Sequence, residues 1–281
     1  VATGATEHMH NHVEATLAGG ASVTNGRLYE ISFRAKWIAG SNQVHTRLYF
    51  NRCPKTTLVD RPENPGTPGA RNSRFVPNAG PTFTGLRHLP VSPGPGEPVM
   101  VSAVAQDPDG IGEVKLRYSV EGGAWREVDM GTVSGGLYQG TIPGQSGSRT
   151  VQFYVYAEDR LEAGAFCPAG GADSRALYRT RDGQARLGDL HNIRIIMTRD
   201  DVSRLYQTIN VMSNGLTGAT VVYNEAEAFY DAGVRLRGSE RGRPTSNRVS
   251  FNIRFPADHL FRGVHRSVGI DRSGGWSGLV P

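Results

Sequence analysis

Short stretches of alternating apolar and polar residues recur through residues 81–180 at a nearly regular spacing. Alternation with a period of two is typical of strands with one buried face, and turn sequences such as Asp-Pro-Asp-Gly at 107–110 separate the stretches. The pattern predicts six strands, at residues 98–105, 113–120, 125–129, 136–142, 150–158 and 176–179. So many short strands within about 100 residues indicate an antiparallel β-sandwich.

The regions before this sandwich differ from it in character. Residues 1–52 alternate again at 12–17, 27–37 and 44–50, and we interpret them as the second half of another antiparallel sandwich. Residues 53–80 contain five prolines and no hydrophobic period. Such a composition is typical of a semi-rigid linker.

Residues 188–281 combine strands with a helix. The pattern predicts strands at 191–197, 219–223 and 227–237. Thr198 and Asp201 have the spacing of a capping box, which predicts a helix over 199–208. We therefore predict a mainly β, multidomain chain with boundaries at 1–52, 53–80, 81–182 and 188–281.

Composition and charge exclude several classes of function. The net charge of +5 comes from 31 basic and 26 acidic residues spread along the chain, and no run of aromatic residues accompanies them, so we expect no nucleic-acid partner. The sequence contains no stretch of 18 apolar residues, so we expect no membrane-spanning segment in this chain. The two cysteines, Cys53 and Cys167, form no metal motif and are compatible with one disulfide or with two free thiols. Because the chain opens on Val1 without a signal peptide, we expect it to be a fragment.

The stretch 229–255 is typical of a hairpin with a glycine-rich basic turn. Val234 and Leu236 alternate with Arg235 and Arg237 on the first strand, and the second strand alternates in the same way. Five arginines lie on or beside the hairpin: Arg237, Arg241, Arg243, Arg248 and Arg254. Guanidinium groups together with the free N–H groups of such a loop can hold an oxyanion or a phosphate. The alternative is a solvated edge hairpin kept soluble by its charges.

Two other groups of residues could bind a metal. His8, His10 and His12 would share one face of a strand and could hold a transition metal, whereas a frayed chain end would hold none. Asp107 and Asp109 could bind calcium, but Pro108 and Gly110 favour a plain turn. We assign no metal-binding residue on these patterns.

No catalytic motif is present. Ser239 stands second in Gly238-Ser239-Glu240-Arg241-Gly242, whereas a nucleophile elbow needs its serine in the middle, and the sequence has no P-loop. Asp271 could serve in phosphoryl transfer, but a lone aspartate at a strand end is typical of a turn or an ion pair. The catalytic residues are therefore left unassigned.

Two segments resemble known modules of bacterial surface proteins. LYEISFRAKWIAGSNQVHTRLYFNR (28–52) is similar to the late strands of jelly-roll carbohydrate-binding modules. VSAVAQDPDGIGEVKLRYSVEGGAWREVDM (101–130) resembles immunoglobulin-like and fibronectin-type-III-like modules. These resemblances imply a partial jelly roll at 1–52 and an Ig-like β-sandwich at 81–182, with cell-surface glycans or surface proteins as partners.

A third resemblance covers the C-terminal region. LHNIRIIMTRDDVSRLYQTINVMSN (190–214) and FYDAGVRLRGSERGRPTSNRVSFNIRFPADHLFRGVHR (229–266) resemble the first half of the CotH family of atypical protein kinases. The family pattern is a strand that ends in an arginine–glycine turn and is followed by a basic strand. The resemblance implies a truncated α+β domain at 188–281 and a phosphate-binding wall made of Arg237, Gly238, Ser239, Arg248 and Arg254.

The resemblance also implies an activity and its cofactors. A full-length protein would use ATP and Mg²⁺, with the Mg²⁺-binding acids located after residue 281, so we expect no cofactor and no phosphoryl transfer for this chain alone. The expected location is extracellular or at the cell surface. The alternative function is a non-catalytic glycan-binding or adhesion protein in which the CotH-like part is a scaffold.

Overall fold

The computed structural model shows a mostly β protein with one α-helix among the residues that it describes. Two compact units are present, one formed by residues 1–16 and 78–281 and the other by residues 17–77. No helix among the described residues is long and apolar enough to cross a membrane. The structure describes residues 4–6, 9–12, 21–22, 24–30, 32–36, 38, 42–48, 52–59, 75–183, 191–207, 215–237 and 250–271.

The first four strands form two separate antiparallel pairs. In the larger unit β1 (Gly4–Thr6) pairs with β2 (Met9–His12), and in the smaller unit β3 (Gln43–Leu48) pairs with β4 (Arg52–Leu58). The strand β4 includes residues 53–58, which the proline content assigned to the linker. Pro54 is compatible with a strand here, because both strands of a two-stranded sheet are edge strands, and an edge strand accepts proline, which has no N–H, at a position that donates no hydrogen bond to its partner.

The prediction of a strand at residues 27–37 is wrong. Its described residues, 27–30 and 32–36, take no strand conformation and pair with no other described strand. On the apolar side of the pattern Tyr29 is 39 % exposed and Phe33 is 54 % exposed, so that side is not buried at these positions. A strand needs a hydrogen-bonded neighbour as well as an alternating sequence, and the pattern alone cannot supply one.

The predicted sandwich is confirmed as two antiparallel sheets packed face to face. One sheet has the order β5-β6-β10-β9, and the other has the order β12-β11-β7-β8 with β13 beside β11. The strands are β5 (Thr82–Leu89), β6 (Val99–Gln106), β7 (Ile111–Val120), β8 (Arg126–Asp129), β9 (Gly131–Ser134), β10 (Leu137–Ile142), β11 (Thr150–Asp159), β12 (Gly164–Cys167) and β13 (Leu177–Arg179). Three of them, β5, β9 and β12, were not predicted.

Alternate residues of the central strands form the sandwich core. Val101 on β6 and Leu116 on β7 are fully buried, as are Phe153 and Val155 on β11. The intervening residues of these strands point to the outer faces, as the period of two requires. Apolar area removed from water between the two sheets is the main source of their stability.

Tyr178 carries the one buried hydroxyl of the sandwich core that lacks a hydrogen-bond partner among the described residues. An unsatisfied buried hydroxyl costs about 1–3 kcal/mol. We therefore expect Tyr178→Phe to raise the free energy of unfolding by about 1 kcal/mol in urea denaturation. The matched control is Tyr156→Phe, which removes a hydroxyl that donates to Glu158 at 2.7 Å and should lower that free energy. A clear loss of stability in Tyr178→Phe would contradict this assignment.

The C-terminal region forms a single antiparallel sheet in which consecutive strands are neighbours. The order is β14 (Ile193–Ile196), β15 (Thr217–Tyr223), β16 (Glu227–Arg237), β17 (Ser250–Arg254) and β18 (Ser267–Ile270). We call this sheet the meander. The helix α1 (Arg199–Tyr206) follows β14, and the N–H of Asp201 donates to the hydroxyl of Thr198 at 3.2 Å, as the capping-box spacing predicted.

The sandwich and the meander share an apolar contact, which we call the junction. Val91 and Leu177 of the sandwich pack against Ile196 and Val222 of the meander, and all four are buried. Tyr230 of β16 extends from the meander to the sandwich core. Because these side chains come from both parts, neither part buries its full apolar surface without the other.

Polar groups at the junction are hydrogen-bonded across it. The hydroxyl of Thr220, which is fully buried, accepts from the N–H of Leu177 at 2.8 Å and donates to the carbonyl of Arg175 at 2.5 Å. Arg194 of β14 forms ion pairs with Asp182 at 3.2 Å and with Glu225 at 3.1 Å. Buried polar groups that are paired in this way fix the relative position of the two parts.

Candidate functional site

The predicted hairpin is present as β16 and β17. Residues Val234, Leu236 and Ile253 point to the core side of the meander and are fully buried or nearly so. Arg235 and Arg237 lie on the opposite side, and β16 has the bounds that its alternation predicted. The arginine side of the hairpin therefore faces away from the core of the meander.

Two residues of the predicted phosphate wall are described, and they stand at opposite ends of the strand pair. Arg237 pairs with Ser250 in the register, whereas Arg254 pairs with Gly233, four residues along β16. This offset corresponds to about 13 Å along the strands. Gly238, Ser239 and Arg248, as well as Arg241 and Arg243, lie outside the described residues, so their place in the predicted wall stays a prediction.

Arg235 lies between these two arginines in the register and adds a third positive charge to the same side. Burial lowers the pKa of Arg235, and the nearby charge of Arg237 lowers it further. The guanidinium of Arg237 packs over Gly269 of β18. A side chain at position 269 would occupy the same space. We refer to Arg235, Arg237 and Arg254 as the arginine face. The charges of Arg235 and Arg237 repel each other, so a bound anion would offset an unfavourable interaction.

A groove of about 480 Å³ begins at one end of the arginine face. Its floor is formed by glycines of two strands, Gly218 on β15 and Gly233 on β16, and Arg254 lies on its wall. A Cβ at position 218 would lie only 2.7 Å from Cγ of Arg175. Because Gly218 has no Cβ, the side chain of Arg175 can pack directly against the backbone. Arg204 of α1 lines the other side. The groove is thus shaped by the sandwich, the helix and the meander together.

The charges of the groove are largely paired within it. Arg175 forms a bidentate ion pair with Asp201, through a contact from Nε to Oδ2 and a second from Nη2 to Oδ1 at 3.3 Å. The hydrogen bond that Arg175 donates to Asp201 raises the pKa of Arg175. The hydroxyl of Thr198 also donates to Asp201 at 2.7 Å. Asp201 is therefore engaged on both oxygens and holds α1 against the sandwich.

Asp231 stands at the floor of the groove in an unusual backbone conformation. Its φ of 51° is in the left-handed region, which residues other than glycine adopt rarely. The carboxylate accepts a hydrogen bond from the backbone N–H of Arg175. Partial loss of hydration raises the pKa of Asp231, whereas that hydrogen bond and the charge of Arg175 lower it in part. The left-handed turn is what brings this carboxylate to the sandwich.

The aspartates of the predicted turn at 107–110 lie next to a third aspartate. Carboxylate oxygens of Asp107, Asp109 and Asp159 lie within 4.8 Å of one another. The N–H of Asp109 donates to Asp107 at 2.8 Å, as in an ordinary turn. Asp159 is buried and already accepts from the N–H groups of Leu161 and Ala163. These bonds give Asp159 a structural role, because they close the turn after β11.

The other sequence candidates have different outcomes. Cys167 is a free thiol, and burial raises its pKa to about 11, so it is unreactive near neutral pH. Asp271 accepts a hydrogen bond from the hydroxyl of Ser250 at 2.7 Å and so links β18 to β17. The histidine cluster at residues 8, 10 and 12 lies outside the part of the chain whose side chains the structure describes.

No protein-family model matches the chain, and no curated protein matches it. The chemistry of the groove and of the arginine face is therefore the basis for assigning a function.

Two residues of the site were not among the sequence candidates. Arg235 was recognised as part of the alternating strand, and its position two residues before Arg237 was the signal that both share one side. Arg175 gave no such signal, because its partner Asp201 is 26 residues away on another element. Only the fold brings them together.

Proposed function

We propose that residues 188–281 form the N-terminal part of a CotH-like kinase domain, and that the arginine face holds the phosphates of a nucleotide. In this proposal the domain follows an Ig-like sandwich and the end of a jelly-roll carbohydrate-binding module in a secreted or cell-surface multidomain protein. The support comes from the resemblance of 190–214 and 229–266 and from the place of the arginines in the fold.

The single observation that carries the proposal is the accumulation of positive charge on one side of a strand pair. Within the described residues, no carboxylate forms an ion pair with Arg237 or Arg254, although most arginines of the junction are paired. Guanidinium groups on a rigid sheet suit a phosphate chain, since each can donate two parallel hydrogen bonds to phosphate oxygens.

The residues present fit the phosphates of ATP better than they fit Mg²⁺. Two of the three carboxylates in the groove, Asp201 and Asp231, already accept hydrogen bonds from Arg175. Mg²⁺ is bound through carboxylates that are free to coordinate it. Bound ATP would supply the phosphoryl group, and the described residues would hold and orient its phosphates without acting as acid or base.

The proposal predicts that Arg254→Met weakens the binding of tripolyphosphate at least tenfold, because a hydrogen bond between charged groups contributes about 1.5–3 kcal/mol. Isothermal titration calorimetry of the full chain with sodium tripolyphosphate measures this affinity. Methionine keeps much of the length of the arginine stem, so that the charge is the main change.

A matched control is Arg160→Met, which removes an exposed arginine next to the turn at 107–110 of the sandwich. This control should bind tripolyphosphate as the wild type does. Equal affinities for wild type, Arg254→Met and Arg160→Met would contradict phosphate binding by the arginine face. That result would favour the alternative in which the CotH-like part is the scaffold of a non-catalytic adhesion protein.

A further inference from the structure

The outer face of the β12-β11-β7-β8 sheet carries a continuous group of aromatic side chains. Trp125, just before β8, packs edge-on against Tyr154 of β11 with ring centroids 4.9 Å apart. Phe166 of β12 lies 5.8 Å from Tyr154 and 5.3 Å from Tyr156. We call these four residues the aromatic face. They cross the sheet diagonally from one edge strand to the other.

The aromatic face is exposed where an outer sheet face is usually polar. Trp125 is 39 % exposed and Phe166 is 43 % exposed, while Tyr154 is buried beneath them. The rings lie on one side of a rigid antiparallel sheet, so that they are fixed in position before any ligand arrives. Exposed aromatic groups that a fold holds together in this way mark an interaction surface.

Hydrogen-bonding groups surround the rings. Lys115 donates to Asp129 at 2.6 Å, and Arg117 donates to Glu127 at 2.9 Å and lies over the ring of Tyr156. The polar side chains next to the aromatic face are Lys115, Arg117, Glu113, Glu127, Asp129 and Glu158. Two of these are basic and four are acidic, so the surroundings are rich in acceptors and carry a net negative charge.

At one end this surface becomes concave. Glu113, Lys115 and Asp129 also line a groove of about 370 Å³ that is bounded on its other side by Met130 and Tyr138. A flat aromatic area that continues into a polar groove can contact more than one unit of a chain-like ligand.

We propose that the aromatic face binds neutral hexopyranose units of a glycan. A pyranose ring has an apolar side of C–H bonds, which can lie against Trp125 and Phe166, and a rim of hydroxyl groups. Those hydroxyls can donate to the carboxylates of Glu127 and Glu158 and accept from Lys115. A neutral ligand of this kind leaves the existing ion pairs in place and adds hydrogen bonds to their free lone pairs. This inference does not depend on the arginine face or on its proposed function.

Charge argues against the other classes of ligand. The excess of carboxylates repels nucleic acids and sulfated glycans, whose binding requires basic side chains. A cationic ligand would compete with Lys115 and Arg117, which already occupy the carboxylates and the ring of Tyr156. The exposed apolar part consists mainly of two side chains, which is small for a stable protein–protein interface of about 800 Å² per partner.

The test measures binding of soluble β-1,4-linked hexasaccharides of glucose and of mannose to the full chain by isothermal titration calorimetry. We expect at least one of these probes to bind the wild type, and we expect Trp125→Ala and Phe166→Ala each to weaken that binding at least about fivefold. Stacking of a nucleic-acid base on an aromatic side chain contributes about 1–3 kcal/mol, and a contribution of this size from sugar stacking corresponds to the expected loss of affinity.

The matched control is Val133→Ala, which removes an exposed apolar side chain from β9 of the opposite sheet and should leave binding unchanged. In the wild type, the indole N–H resonance of Trp125 should shift when the sugar is added, a readout that does not require any variant to fold. The proposal is overturned if no neutral probe binds, if both aromatic variants bind as the wild type does, or if only sulfated oligosaccharides bind.

Discussion

Acidification from pH 7 to pH 4 is expected to lower the free energy of unfolding of this protein by about 3 kcal/mol through one buried histidine, His88. Burial lowers the pKa of His88 from its usual value near 6.5 to about 4, and the hydrogen bond to the carbonyl of Val91 opposes this only in part. His88 is 1 % exposed and lies between the sandwich and the meander.

The hydrogen bonds of His88 explain why the neutral form is required. Nε2 donates to the carbonyl of Val91 at 3.0 Å, which leaves Nδ1 to accept from the hydroxyl of Tyr230 at 2.6 Å. The same hydroxyl oxygen accepts from the backbone N–H of His88 at 3.1 Å. Protonation of Nδ1 would make it a second donor to the hydroxyl oxygen of Tyr230, so that the O–H of Tyr230 would lose its acceptor next to the stacked ring of Tyr178. Among the described residues, no carboxylate compensates the charge in this network.

The direction of the pH dependence follows from linkage. Between pH 4 and 6.5 the unfolded chain binds a proton at His88 and the folded chain does not, so unfolding is favoured as the pH falls. The contribution of neutral His88 to the free energy of unfolding is fully present above pH 6.5 and is lost progressively towards pH 4. Urea denaturation at intervals of half a pH unit measures it.

The control for this prediction is His88→Gln, whose amide can hydrogen-bond to both neighbours but does not titrate. The variant should lose less stability than the wild type over the same interval, so that the difference between the two proteins shrinks as the pH falls. Parallel curves for the two proteins would show that His88 is not the group responsible.

Removal of the Asp201 carboxylate is expected to lower the free energy of unfolding by about 2–3 kcal/mol. Asp201→Ala leaves the guanidinium of Arg175 partly buried without its bidentate partner, and the side chain of Arg175 is only 23 % exposed. It also removes the acceptor of the Thr198 hydroxyl at the start of α1. The loss should appear in thermal and urea denaturation at pH 7.

Arg199→Ala is a suitable control because it breaks another ion pair between α1 and the sandwich. Arg199 bonds to Glu121 at 2.8 Å but is 79 % exposed, so its removal should cost less than about 0.5 kcal/mol. In a double-mutant cycle, Arg175→Met should lower the free energy of unfolding less in the Asp201→Ala background than in the wild type. A loss in Asp201→Ala no larger than that in Arg199→Ala would contradict the role of this pair.

The parts of the fold that the sequence predicted well are the strands with one fully buried side. The alternation of β16 predicts its bounds to the residue because its core positions, such as Val234 and Leu236, are buried by neighbouring strands on both sides. The strand β9 was not predicted because all four of its residues are exposed, so that it has no apolar period. The segment 27–37 shows the opposite case, a clear period without a pairing partner among the described residues.

The candidate site was predictable only in part for a different reason. The basic strands were visible because their arginines are neighbours in the sequence. The groove joins Arg175, Asp201, Gly218 and Arg254, which come from the sandwich, the helix and two strands of the meander. Its existence depends on the junction, and contacts such as that between Thr220 and Leu177 have no counterpart in local spacing or composition.

The most direct test of phosphate binding at this site is amide hydrogen exchange of the full chain with and without tripolyphosphate. We expect slower exchange in residues 217–218, 231–237 and 250–257, and at a tripolyphosphate concentration near the wild-type Kd the same segments should slow much less in Arg254→Met. Residues 113–120 of β7, in the β12-β11-β7-β8 sheet of the sandwich, serve as the internal reference. Their exchange rates should not change. Slower exchange confined to other segments, or none in the wild type, would contradict the assignment of the arginine face as a phosphate-binding surface.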